Sequence, residues 1–209
     1  MSHLDIELQQ LKTESIKMWS LVNLQLRKGK EALLKLDKDL AREVILSERR
    51  VNAYELKLDR DCENIFALFN PVAVDLRFVL AVLKINSNLE RTGDIVEGIA
   101  RFVLNVDNTF DKKLLELTRV VEMYTAANSM MESVLEAFEK EDTALARKIF
   151  KEDELLDDIN IKANAIVAQY VHNQPQNVVE AALYLLSIMR KLHCNCKSNH
   201  ILIICAYFL

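Results

Sequence analysis

Glu90 and Asp94 stand four residues apart in the run Asn88-Leu89-Glu90-Arg91-Thr92-Gly93-Asp94. On a helix this spacing puts both carboxylates on one face, about 6 Å apart along the axis. Like charges placed so repel by about a few tenths of a kcal/mol, which a cation or a basic partner would offset. The same spacing occurs at Glu48 and Asn52, and again at Asp153 and Asp157 with Glu152 beside them. If two such helices run antiparallel as neighbours, their pairs face each other and offer three or four oxygen ligands. Such sets suit hard cations such as Mg²⁺, Ca²⁺ or Mn²⁺, and carboxylate clusters in helix bundles also hold iron. Acidic pairs are equally a common feature of solvated helix faces, so spacing alone leaves both readings open. The Glu-x-x-His signature of ferritin-type di-iron sites is absent, which argues against redox di-iron chemistry. No Ser-His-Asp set, P-loop or glycine-rich phosphate cradle stands in the sequence.

The elements that must position these residues are long helices. In 209 residues there are 3 Gly and 2 Pro, far too few for a loop-rich or β-rich chain, while 51% hydrophobic and 28% charged residues supply both a core and a surface. Apolar residues near a 3.6 period predict a first helix over about 3–36. Gly29 interrupts it, which costs about 1 kcal/mol against Ala. Asp37 is placed to cap a second helix over about 38–69, which Asn70-Pro71 must end because Pro cannot donate and disfavours helical geometry just before itself. A third helix follows over about 73–106. The plan then repeats: a helix over about 110–139, Asp142 as cap, a helix to about 172, a break at Asn173-Gln174-Pro175, and a last helix from near Asn177.

Residues line up at an offset of 105: Met18-Trp19 on Met123-Tyr124, Asn23 on Asn128, Asp37 on Asp142, and Leu40-Ala41-Arg42 on Leu145-Ala146-Arg147. The expectation is an all-α chain of two tandem three-helix bundles, residues 1–106 and 107–209, with the second bundle atypical from 193. A continuous coiled coil is disfavoured by the strong breaks.

Other function classes find no footing. The net charge of −4 lacks a basic stripe for nucleic acid. The first dozen residues lack the basic start and apolar core of a signal peptide, and no apolar run approaches the roughly 20 residues that span a bilayer. Four cysteines, three of them at or beyond residue 194, form no disulfide framework. The expected compartment is the cytoplasm.

At these residues the sequence resembles the PhoU family. Asn70-Pro71-Val72-Ala73-Val74-Asp75-Leu76-Arg77 is similar to that family's Pro-x-Ala-x-Asp-Leu-Arg segment. Leu89-Glu90-Arg91-Thr92-Gly93-Asp94 is similar to its Leu-Glu-Arg-Ile-Gly-Asp, and Glu152-Asp153-Glu154-Leu155-Leu156-Asp157 to its Glu-Asp-x-x-x-Asp. The resemblance covers about residues 4–192. It implies two three-helix bundles, often dimeric, and no enzymatic turnover. It implies a repressor of the phosphate-starvation response whose partners are the ATPase subunit of the phosphate ABC transporter and a membrane sensor histidine kinase, with membranes reached only through those partners. It also implies metal binding, with Fe, Zn, Mg or Mn as candidate ions. One site would use Glu48, Asn52, Glu90 and Asp94, and a second Asp153 and Asp157. A metal-storage protein, a metal-dependent enzyme and a passive helical scaffold are the competing classes.

The second Leu-Glu-Arg-Ile-Gly-Asp segment should begin at Leu192, where the chain reads Leu192-His193-Cys194-Asn195-Cys196-Lys197. His193 and Lys197 take the places of the two acids, which weakens the second site. From His193 to Leu209 there is no Asp or Glu, and Ile201–Leu209 is an apolar run of the wrong pattern for an amphipathic helix. A change of reading frame near His193 is one explanation. His193, Cys194, Cys196 and His200 also read as a zinc set, but the spacing fits no familiar finger, and a tail with chance thiols is the simpler account.

Overall fold

The computed structural model describes residues 2–106, 110–145, 153–172 and 174–198, with residues 153 and 194–198 described by backbone alone. Helix is the one regular element among them, with no strand. The first bundle is α1 (His3–Lys35), α2 (Lys38–Phe69) and α3 (Ala73–Asn105). The second half is α4 (Lys112–Thr118), α5 (Val120–Lys140), α6 (Asp153–Tyr170) and α7 (Gln176–Ser198).

Local chemistry sets the ends. Ser2 and Asp5 form a reciprocal capping box at the start of α1. The Asp37 carboxylate accepts from the N–H groups of Asp39 and Leu40 at 3.0 and 2.9 Å, as its position between two helices predicts. Asp142 does the same for Ala144 and Leu145, both at 2.9 Å. Leu36 and Asn70 close α1 and α2 in the left-handed region. At the last break, Pro175 hands its carbonyl to the N–H groups of Val178 and Val179.

One expectation fails. The helix predicted over 110–139 is two helices, broken at Arg119, whose φ of 54° is left-handed. Thr118 turns its hydroxyl back to the Leu114 carbonyl at 2.8 Å, and the Arg119 N–H bonds the Glu116 carbonyl. The Arg119 guanidinium then spans to Glu122 on α5 and Asp158 on α6. Leu114 and Phe110 are buried by this bend, and Phe110 meets Phe102 of α3 with ring centroids 5.5 Å apart. Tertiary burial and a charged latch outweigh helical continuity, and neither leaves a Gly or Pro to read.

The first bundle is up-down-up. Lys28–Glu43 and Lys57–Glu14 bridge antiparallel α1 and α2. Asn86 reaches Glu55 and Asp59 across antiparallel α2 and α3. In the second half, Arg190–Asn164 and His193–Asp157 join antiparallel α6 and α7. The halves meet through α1 against α5 and α3 against α7, and one buried apolar cluster runs through both. Trp19 stacks near Phe138, which also faces Phe78.

Arg27 and Glu132 touch at 3.4 Å where antiparallel α1 and α5 cross, and they are separated by the repeat offset. Equivalent positions meeting each other is the mark of a two-fold relation between the repeats. Gly29 sits at the same crossing. A Cβ there would come within 2.5 Å of Val96 Cγ1 and 2.9 Å of the Tyr124 hydroxyl, so its helix penalty is exchanged for close approach of three helices.

Candidate functional site

The first acidic pairs lie on the α2–α3 seam. Antiparallel packing brings Glu48 over Gly93, one residue before Asp94. The Glu48 carboxylate rests on the glycine so closely that a Cβ would stand 2.6 Å from Oε2 and 3.0 Å from Oε1. That contact accounts for a glycine in the middle of α3. Glu48 is 3% exposed. Its Oε2 accepts from Gln25 Nε2 of α1 at 2.9 Å, and its Oε1 is buried with no hydrogen-bond partner among the described residues. Desolvation pushes the Glu48 carboxyl up to about 7 against the opposing Gln25 bond, and Asp94, Glu97 and Glu90 push it the same way.

Glu90 is half-buried and also raised, by desolvation first and then by Asp94 and Glu55. Asp94 and Asn52 are exposed, Asn52 one turn beyond Glu48. Glu55 is raised by desolvation, Asp59 and Asp94. The structure therefore brings Glu48, Glu90 and Asp94 to one seam and adds Glu55, Asp59 and Glu97, which the pair spacing missed. Their signal was present as helical stripes, 48-52-55-59 on α2 and 86-90-94-97 on α3. Gln25, a neutral residue on a third helix, had none.

The seam suits an oxygen-seeking cation in kind. It holds several hard oxygen donors that repel one another, and a buried carboxylate oxygen left without a partner, a situation that costs about 1–3 kcal/mol when nothing satisfies it. The donors do not yet converge: among the described residues no group of three or more His, Cys, Asp or Glu is gathered closely enough to hold one ion.

The second set differs. Asp157 meets His193, with Oδ1 and Nε2 2.6 Å apart. The side chain of Asp153 lies outside the described residues, as do those of Cys194, Cys196 and Lys197 and all of residues 199–209. The zinc reading of the tail falls on those residues. Among the described helices none is long and apolar enough to cross a membrane.

Comparison with known proteins places this architecture. The family profile of the PhoU domain matches residues 16–103 and 120–193, once per half. The "Phosphate-specific transport system accessory protein PhoU homolog" of Aquifex aeolicus is 32% identical over 185 residues, covering 88% of this chain and 82% of that protein. The PhoU protein of Edwardsiella tarda is 35% identical over 72% of this chain, but only 61% of its own length is spanned. Among solved structures, PhoU from Pseudomonas aeruginosa superposes with a TM-score of 0.91 over 99% of this chain and 98% of that one, at 24% identity, a likeness of fold. The phosphate transport system regulatory protein PhoU from Streptococcus pneumoniae gives 0.83 at 25% identity, over 99% and 96%. With its profile found in both halves and a relative matched over most of its length, the chain belongs to the PhoU family.

Proposed function

We propose that this chain is a regulatory accessory protein of phosphate uptake that represses the phosphate-starvation response when phosphate is plentiful. The match of both halves to the PhoU domain carries this reading, and the accessory-protein relatives support it. It works by binding and positioning other proteins, without turnover of its own. Its partners are the ATPase subunit of the phosphate ABC transporter and a sensor histidine kinase, and it acts from the cytoplasm as a homodimer.

In the first bundle, Glu48, Asn52, Glu90 and Asp94 hold a divalent or iron-type cation (Fe, Zn, Mg or Mn). The ion's charge offsets the repulsion along the α2–α3 seam. Gln25 keeps one Glu48 oxygen occupied and leaves the other for the ion, and Gly93 leaves room for the carboxylate. Size-exclusion chromatography of the full chain with the purified transporter ATPase subunit, and separately with the soluble part of the kinase, tests the adaptor role. Co-elution with both is expected, weakened in a Glu90→Ala/Asp94→Ala variant. Co-elution with neither contradicts it.

A further inference from the structure

The hydrogen bond between Gln25 of α1 and Glu48 of α2 leaves two buried oxygens over. Gln25 is 1% exposed and Glu48 3%. The Gln25 amide turns its nitrogen to Glu48 Oε2 at 2.9 Å and to the Val44 carbonyl at 3.4 Å. Both of those atoms are acceptors, so they set the orientation of the amide, and its oxygen points away from them. That oxygen, Gln25 Oε1, is buried without a hydrogen-bond partner among the described residues, and so is Glu48 Oε1. Two planar groups joined by one hydrogen bond thus each carry an orphaned acceptor, which costs about 1–3 kcal/mol apiece when nothing satisfies it. Neither can serve the other, since both accept. What satisfies them must donate or carry positive charge. A water molecule would donate, but it would bring no charge to a seam that already holds Glu90 and Asp94. A cation satisfies both oxygens and offsets the acids as well.

We infer that Gln25 is a ligand residue of the first-bundle cation site, supplying its side-chain carbonyl from α1 beside Glu48 Oε1 from α2. This rests on the first-bundle metal reading proposed above. Side-chain amide carbonyls are ordinary ligands for hard cations, and a neutral one adds a donor oxygen without adding to the repulsion among the acids. The Gln25 nitrogen holds Glu48 in place while the Gln25 oxygen meets the ion, so α1 enters a site that the acid motifs assign to α2 and α3 alone. One repeat offset further on, the residue is Met130, also buried, whose thioether can neither donate to a carboxylate nor offer a hard oxygen.

Mn²⁺ is the probe of choice because it favours oxygen ligands over the tail thiols. Its affinity for the full chain is read by equilibrium dialysis in about 0.5 M salt, which screens charge acting at a distance. Gln25→Met, close in volume and the residue that the second half uses at this place, should weaken the first-bundle affinity about tenfold or more. Gln25→Glu keeps an oxygen ligand but, as a carboxylate, cannot donate to Glu48. It should bind Mn²⁺ at least as tightly as the native chain, while unfolding at lower denaturant in the absence of metal. Unchanged affinity in Gln25→Met overturns the inference. So does Gln25→Glu binding as weakly as Gln25→Met, which would make Gln25 a prop for Glu48 and no ligand. Glu90→Ala/Asp94→Ala should abolish the same binding. If that variant binds as the native chain does, the first-bundle reading fails and this inference falls with it, whereas its loss of binding beside an unchanged Gln25→Met overturns this inference alone. Far-UV circular dichroism of each variant confirms that the helices persist.

Discussion

Buried against Gln25 and the backbone of Gly93, the Glu48 carboxyl titrates near neutrality because desolvation and then its acidic neighbours disfavour its charge. A carboxyl raised on folding stabilises the fold most fully below its unfolded value, near 4.5, and that contribution is lost as pH rises through about 7. Glu48→Gln keeps the shape and removes the titration. Its stability relative to the native chain should therefore improve by about 2–3 kcal/mol between pH 5 and pH 8 in the absence of metal. Denaturant unfolding at the two pH values measures this, and an equal pH response in both proteins would refute it. Gly93→Ala separates the site from the scaffold. The helix gains about 1 kcal/mol from Ala, but the new Cβ drives the Glu48 carboxylate off its Gln25 bond. Stability within about 1 kcal/mol of native and a loss of Mn²⁺ affinity of about tenfold or more are expected. Unchanged affinity by dialysis would show that Glu48 is not a ligand.

The helix ends at Asp37, Asn70-Pro71, Asp142 and Pro175 were legible because a residue there acts on its immediate neighbours. Asp37 and Asp142 cap where their repeat-related positions predict, and the two prolines mark breaks. Asp37→Ala should cost about 1 kcal/mol in chemical denaturation. The break at Arg119 was not legible, since a left-handed arginine is held by Glu122, Asp158 and the burial of Leu114, partners that lie up to a helix away. The site was half legible for the same reason. Acid spacing along α2 and α3 shows which faces bear carboxylates, but only packing reveals that Glu48 is buried and that Gln25 of α1 binds it. Gly29 read as a defect and is a contact. Gly29→Ala should destabilise by about 1–2 kcal/mol despite its helix gain, because the stiff Val96 side chain and the buried Tyr124 ring cannot both withdraw. A stabilised variant in thermal melts would argue that α1 and α5 have slack at this crossing.

At the scale of the molecule, duplication supplied the architecture and its two-fold relation, with Arg27 facing its own repeat equivalent Glu132. The single tryptophan, Trp19, is fully buried beside Phe138 of the other half, in a core continuous through both. Unfolding followed by Trp19 fluorescence and by helical circular dichroism should therefore give one coincident transition. Earlier exposure of Trp19 would mean that the halves part before they melt. The repeats match as scaffold and differ as chemistry, with an open acidic seam in the first and an acid–imidazole pair in the second. The most direct test of the regulatory account is a phosphate-starvation reporter in phosphate-rich medium, in a host that lacks its own regulator and carries this chain. Repression by the native chain and loss of repression with Glu90→Ala/Asp94→Ala are expected. A reporter that stays fully on with the native chain expressed and folded would contradict it.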